Sequence, residues 1–205
     1  MQGTYYIGMD CGSTTVKTVV INKDMQIIYK KYERHHSRVR ETALSQMSDV
    51  KRIVLPNARI HFALSGSAGL GLSGSSGLPF VQEVFATKKA CGVLIPGTDA
   101  VVELGGEDAK ILFLSGGNEE RMNGTCAGGT GAFIDRMASL LSVEAAGLGA
   151  LAKNFRRIYP IASRCGVFAK SDIQPILNQG GRKEDVAASI FQAVVDQTVA
   201  GLTQG

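Results

Sequence analysis

A chain of 205 residues with 44% hydrophobic content can bury a proper core, and its length suits one large or two small domains. No apolar run approaches the ~20 residues of a membrane span, and the start lacks the charged segment and long apolar core of a signal peptide, so no membrane partner and a cytoplasmic location are expected. The net charge of +4 arises largely between Lys30 and Arg52, where seven Lys/Arg stand against Glu33, Glu41 and Asp49 with no stacking aromatic beyond Tyr32, the pattern of a solvated face and not of a nucleic-acid surface.

The first element is an apolar run, Tyr5 to Met9, that enters Asp10-Cys11-Gly12-Ser13-Thr14-Thr15-Val16-Lys17 and continues into Val19-Val20-Ile21. Alternation and β-branched residues on both sides of a Gly predict strand, tight polar turn, strand, with a turn whose backbone N–H groups can approach a phosphate closely. Gln26 to Tyr32 reads as a third strand, Thr42 to Ile53 as a short helix and Arg59 to Leu64 as a buried strand, giving β-β-β-α-β order.

Gly69, Gly71 and Gly74 then satisfy the spacing of a dinucleotide fingerprint. That motif must open straight into a helix, whereas more Gly and Ser and then Pro79 follow, and no acid ends a second strand ~20 residues on, so a flexible connection or lid is expected from Gly66 to Pro79. A helix from Val81 to Ala90 leads to Ile95-Pro96-Gly97-Thr98, where Pro/Gly punctuation predicts a boundary between domains of residues 1–95 and 96–205.

The second domain repeats the opening. Glu103-Leu104-Gly105-Gly106-Glu107-Asp108-Ala109-Lys110 again places Gly two residues and Lys seven residues after an acid, 93 positions beyond the first copy. Strands are expected at Ala100 to Leu104, Ala109 to Leu114 and Glu119 to Met122, with helices at Thr130 to Leu141, Ala145 to Lys153, Phe168 to Leu177 and Asp185 to Leu202. Two such hairpins, each carrying a carboxylate, suit the phosphates of a nucleotide and its Mg²⁺, which is held through one or two carboxylates plus phosphate oxygens and water. No Gly-Lys pair occurs, which excludes the P-loop motif.

Four cysteines without an export signal argue for thiols or metal ligands and against a disulfide framework. Cys11 and Cys91 read as small buried apolar residues. Cys126 and Cys165 each directly precede an expected helix, whose N–H groups and dipole would stabilise a thiolate. Two thiolates are half of a four-cysteine iron–sulfur site, which a symmetric dimer would complete; zinc on the same four thiolates and a redox disulfide within one chain remain open.

With these residues in view, the chain resembles the ATPase activators of 2-hydroxyacyl-CoA dehydratases and the ATPase subunits of benzoyl-CoA reductase. The resemblance rests on Gly8 to Thr14, Glu103 to Asp108, Asn123 to Gly131 and Ser163 to Ala169, in the family's order and spacing. It implies the α/β fold of the actin, sugar kinase and heat-shock chaperone ATPases, two ribonuclease H-like domains around MgATP, and a homodimer sharing one 4Fe-4S cluster.

Carried over by the same resemblance, Cys126 and Cys165 are cluster ligands. Asp10 and Glu103 act around Mg²⁺ and its waters. Gly12, Ser13, Thr14, Gly105 and Gly106 contact the phosphates of ATP or ADP, with Lys17 beside them. Glu107 and Asp108 orient the attacking water. ATP hydrolysis would gate transfer of one electron, received from a donor such as ferredoxin or flavodoxin, into a partner dehydratase or reductase.

Small members of that family continue with an adenosine-binding segment and closing helix, whereas this sequence ends at Gly205, so the second domain is expected to be incomplete and MgADP binding by this chain to be weak. The wording of the loops is closer to the larger, multi-repeat activators. Two other classes fit the residues: a non-catalytic, cluster-bearing interaction module, and a small-molecule kinase of the same fold, which would have no use for Cys126 and Cys165.

Overall fold

The computed structural model describes residues 3–54, 56–116, 119–122, 130–162 and 166–202, and the chain divides into two compact units, Met1–Gly97 and Thr98–Gly205. In the first unit, β1 (Thr4–Cys11), β2 (Thr15–Asn22), β3 (Ile27–Arg34) and β4 (Arg59–Ser65) form one sheet in the order β3-β2-β1-β4. The first three strands are antiparallel and β4 runs parallel to β1, so β1 is an inner strand.

Helix α1 (Val39–Ile53) lies against this sheet because Ala43, Gln46 and Val50 form one buried stripe, with Glu41 in its first turn and Lys51 and Arg52 in its last matching the helix dipole. A buried hydrogen bond fixes its height on the sheet: Thr18 Oγ1 donates to Gln46 Oε1 at 2.6 Å, and Gln46 Nε2 donates to the Val16 carbonyl at 3.2 Å. Ile7, Met9, Cys11, Val16, Val20 and Leu64 supply the apolar core beneath it.

The segment from Gly66 to Pro79 departs from the expected flexible connection. Residues Gly69–Ser76 form helix α2, closed by Gly77 at φ 70°. Tertiary packing overrides the poor helix propensity of Gly and Ser here. Ala68 and Leu72 pack on the Met9, Cys11 and Leu64 cluster. After the helix, Phe80 pairs with Leu64 in parallel through Leu64 N to Pro79 O at 2.8 Å and Val81 N to Leu64 O at 2.7 Å. The stretch is thus a helix seated on the core through Ala68 and Leu72 with most of its residues exposed, which corrects the expectation that no helix follows β4.

Helix α3 (Glu83–Leu94) closes the unit and runs four residues past the expected Ala90. No residue on it is buried, and Cys91 is only half-buried, which corrects its reading as a core residue.

In the second unit, β5 (Ala100–Leu104), β6 (Ala109–Phe113) and β7 (Glu120–Met122) form an antiparallel meander with β5 at one edge. Among the described residues four helices follow: α4 (Gly131–Leu140), α5 (Ala145–Ala152), α6 (Gly166–Asn178) and α7 (Lys183–Leu202). Phe133, Met137, Leu141, Leu148, Ile173, Val186, Ile190 and Val194 make their common core, and α7 is buried on every side over residues 185–190, as a helix enclosed by its neighbours is.

The loop between α5 and α6 is tied to α7 by two buried side chains. Asp185 accepts from the N–H groups of Arg156 at 2.7 Å and Arg157 at 3.2 Å, and Ser189 Oγ accepts from Tyr159 N–H at 2.8 Å. Among the described residues no helix is long and apolar enough to cross a membrane.

Candidate functional site

Each unit carries one acid-glycine turn, built the same way. In the first, cross-strand pairing sets Asp10 directly opposite Lys17, and Lys17 Nζ reaches Asp10 Oδ2 at 2.7 Å. The N–H of Gly12 closes the turn on the Thr15 carbonyl at 2.9 Å. In the second, Glu103 is set opposite Lys110 with Nζ 3.5 Å from Oε1, and the N–H of Gly105 closes on the Asp108 carbonyl at 2.7 Å.

The carbonyls of the first turn point back into protein. Cys11 O accepts from Ala68 N–H at 2.9 Å, Gly12 O lies 3.2 Å from His35 Nε2, and Thr14 O accepts from His35 N–H at 3.2 Å. Among the described residues no protein group accepts from the N–H of Ser13 or Thr14. Carbonyls turned away and N–H groups left outward make an anion-binding concavity.

Asp10 Oδ1 is buried and has no hydrogen-bond partner. Such an atom costs free energy unless a donor or cation meets it, and a hard carboxylate oxygen is the ligand Mg²⁺ takes. The acid side of the turn therefore fits Mg²⁺ through Oδ1, while Oδ2 is occupied by Lys17.

Gly66 closes the rear of this site. At φ 90° it lies so near that a Cβ would fall 2.3 Å from the Cys11 carbonyl oxygen and 2.4 Å from Asp10 Oδ1. Cys11 itself is fully buried, and burial first, then the charge of Asp10, push its thiol up to about 11, so it is a neutral packing residue and no metal ligand.

The second turn is braced by a helix start. Gly131 N–H donates to Gly105 O at 2.8 Å and Ala132 N–H to Gly106 O at 2.9 Å. A Cβ on Gly131 would stand 3.1 Å from Gly105 O, and one on Gly105 2.9 Å from Asp108 O. Lys110 is buried, whereas the side chains of Glu107 and Asp108 are exposed.

Asp10, Gly12, Ser13, Thr14 and Lys17 thus share one turn, and Glu103, Gly105, Gly106, Glu107 and Asp108 another. Cys126 and Cys165 lie outside the described residues; the helices that follow them in sequence begin at Gly131 and Gly166. Among the described residues no three His, Cys, Asp or Glu side chains converge on a metal-sized point.

Three positions were given no role by the sequence reading: His35, Gly66 and Gly131, the last of which stood only as the end of the Asn123 to Gly131 motif. Gly66 left a trace as a Gly directly after a buried strand, whereas a lone His after a strand carries no periodic signal.

Comparison with known proteins adds the rest. Residues 7–204 match the model of the BadF/BadG/BcrA/BcrD ATPase family. The 2-hydroxyisocaproyl-CoA dehydratase activator of Clostridioides difficile is 29% identical over 93% of this chain and 72% of its own length. The crystal structure of Acidaminococcus fermentans (R)-2-hydroxyglutaryl-CoA dehydratase component A superposes with a TM-score of 0.82 at 27% identity, covering 96% of this chain and 77% of that one. The ADPNP-bound activator of the 2-hydroxyisocaproyl-CoA dehydratase from Clostridium difficile gives a TM-score of 0.81 at 27% identity over 96% and 74%.

This chain therefore spans about three quarters of the relatives it matches and has their α/β fold. Matched over nearly its whole length, the chain belongs to the BadF/BadG/BcrA/BcrD ATPase family.

Proposed function

We propose that this protein uses ATP to drive low-potential electrons into a 2-hydroxyacyl-CoA dehydratase or a related reductase. The observation that carries the reading is the repeated turn: two acids, each followed by a glycine-closed phosphate turn, in a chain whose relatives are dehydratase activators.

The residues divide the work. The outward N–H groups of Ser13 and Thr14 receive phosphate oxygens, and Lys17 adds a positive charge next to them. Gly105 and Gly106 let the second turn approach the phosphates closely. Asp10 Oδ1 would hold Mg²⁺, with Glu103 fixing its water shell. Exposed Glu107 and Asp108 are free to orient the attacking water, an action that stabilises the transition state more than the ground state.

Cys126 and Cys165 are soft thiolate donors, two per chain, and two copies supply the four that a 4Fe-4S cluster needs. When bound, such a cluster supplies a single electron at low potential. The electron donor in this reading is a ferredoxin or flavodoxin, and the location is cytoplasmic.

The test is the iron and acid-labile sulfide content of anaerobically purified protein together with its mass in solution. One cluster per dimer is expected, lost in Cys126→Ala plus Cys165→Ala. A full cluster on a monomer, or iron retained in the double variant, would rule the reading out.

A further inference from the structure

His35 stands behind the first phosphate turn and touches it twice: its N–H donates to Thr14 O at 3.2 Å and its Nε2 lies 3.2 Å from Gly12 O. The ring is buried, and the proton can be assigned. Ser37 N–H donates to Nδ1 at 3.1 Å, so Nδ1 carries a bare lone pair and Nε2 carries the hydrogen that Gly12 O accepts.

The chain accepts strain to seat this ring. His36 at φ 45° and Ser37 at φ 64° are consecutive non-glycine residues in the left-handed region, which persists only where the surroundings over-determine it. Those two residues fold the backbone so that Ser37 N–H meets Nδ1 and Arg38 N–H closes on His35 O at 2.7 Å, directly ahead of α1.

The second unit shows that the braced atom matters. Gly105 O, which holds the place of Gly12 O in the repeated motif, accepts from Gly131 N–H at 2.8 Å. In each unit the carbonyl two residues after the acid is held from behind by a donor, a backbone N–H in one and an imidazole in the other. A carbonyl so held cannot rotate outward, and rotation of that peptide would turn the Ser13 N–H away from a bound phosphate.

We propose that His35 is a positioning residue that latches the first phosphate turn in its anion-binding geometry and thereby sets nucleotide affinity. It touches no nucleotide in this arrangement. The inference rests on the reading of Gly12 to Thr14 as a phosphate turn.

Two near-isosteres separate a latch from mere space filling. His35→Gln keeps a donor where Nε2 stands, and His35→Asn keeps only the acceptor that serves Ser37. Amide hydrogen exchange of a peptide covering residues 11–16 is expected to quicken about tenfold in His35→Asn and to stay near wild type in His35→Gln, with peptides of β4 and of the second half of α1, in the same unit, unchanged as the control for folding.

In steady-state ATPase assays, KM for MgATP is expected to rise about tenfold in His35→Asn with kcat within about threefold, and the Gln variant to restore it. Equal behaviour of the two variants, or an Asn variant that matches wild type, overturns the latch. If MgATP at a concentration that saturates the steady-state assay fails to slow exchange of peptide 11–16 in the wild-type protein, the phosphate-turn reading falls and takes the latch with it; protection by MgATP with no effect of His35→Asn removes the latch alone.

Discussion

The two acid-glycine turns share a motif, a closing hydrogen bond and a braced carbonyl, yet the groups that surround them differ. Gly12 N to Thr15 O and Gly105 N to Asp108 O are the same bond at the same offsets. Around it, Lys17 is 42% exposed where Lys110 is 8% exposed. The acid of the first unit sits on an inner strand, β1, and that of the second on an edge strand, β5. The first turn is held by Ala68, His35 and the close approach of Gly66; the second is held by the first N–H groups of α4. The turn is therefore a local unit, specified by acid, glycine and cross-strand lysine, while each unit supplies its own brace.

The largest effect expected from breaking that comparison is at Gly66. In Gly66→Ala the new Cβ meets backbone atoms of an inner strand, which cannot move aside, and must also hold φ 90°. A loss of about 3 kcal/mol or more is expected from strain and overlap together. Gly131→Ala meets Gly105 O at 3.1 Å without a left-handed φ, and a few tenths of an ångström relieve it. Urea unfolding should show a loss nearer 1 kcal/mol there. The reverse ranking would mean that the second turn, not the first, is the more rigidly built.

A second contrast sharpens the inner and edge positions. Ile7, Met9 and Cys11 are 2%, 3% and 0% exposed. Val102 and Leu104, the residues that match Met9 and Cys11 in the repeated motif, are 50% and 41% exposed. Met9→Ala should destabilise this chain by about 2–5 kcal/mol, because it empties a site walled by β2, β4 and α1. Val102→Ala should cost under about 0.5 kcal/mol. Comparable losses in the two variants would show that the β5 surface is covered in solution.

How much of this was legible in the chain follows from which interactions are local. The seven-residue spacing of Asp10 to Lys17 places the pair opposite one another once a tight turn is granted, and Glu103 and Lys110 obey the same count. Strand alternation and the stripe of α1 are short-range patterns, and the sequence carries them openly. Helix α2 was missed because Gly and Ser propensities argue against it, and only Ala68 and Leu72, brought onto β1 and β4 from a distance, decide otherwise. His35 was missed because its role depends on a carbonyl 23 residues away and on a left-handed turn that no residue type announces.

The smallest expected effect tests the polar devices that pin each unit. The first unit fixes α1 with an uncharged pair, Thr18 and Gln46, and with the Asp49 carboxylate, which meets Lys31 on β3 at 3.1 Å. The second fixes its α5–α6 loop with a carboxylate. Asp185 is held below the usual carboxylate range chiefly by the N–H of Arg156, against an opposing effect of burial, and further by the N–H of Arg157 and the charges of Arg182 and Arg156. A depressed folded-state pKa stabilises the protein above the unfolded value, and that contribution is lost as pH falls through the folded value. The loop of the second unit should therefore loosen below about pH 4, and α1 should loosen less, because its Thr18–Gln46 bond carries no charge. Asp185→Asn keeps an acceptor for Arg156 N–H but not the charge, so its melting temperature should be slightly lower at pH 7 and fall less steeply in acid. Part of the acid slope will survive in the variant, because Lys31 lowers Asp49 and Arg121 lowers Glu119 in the same direction. An acid limb identical in wild type and Asp185→Asn would place the pH sensitivity on those pairs, one in each unit, and show that the Asp185 ties add nothing to it.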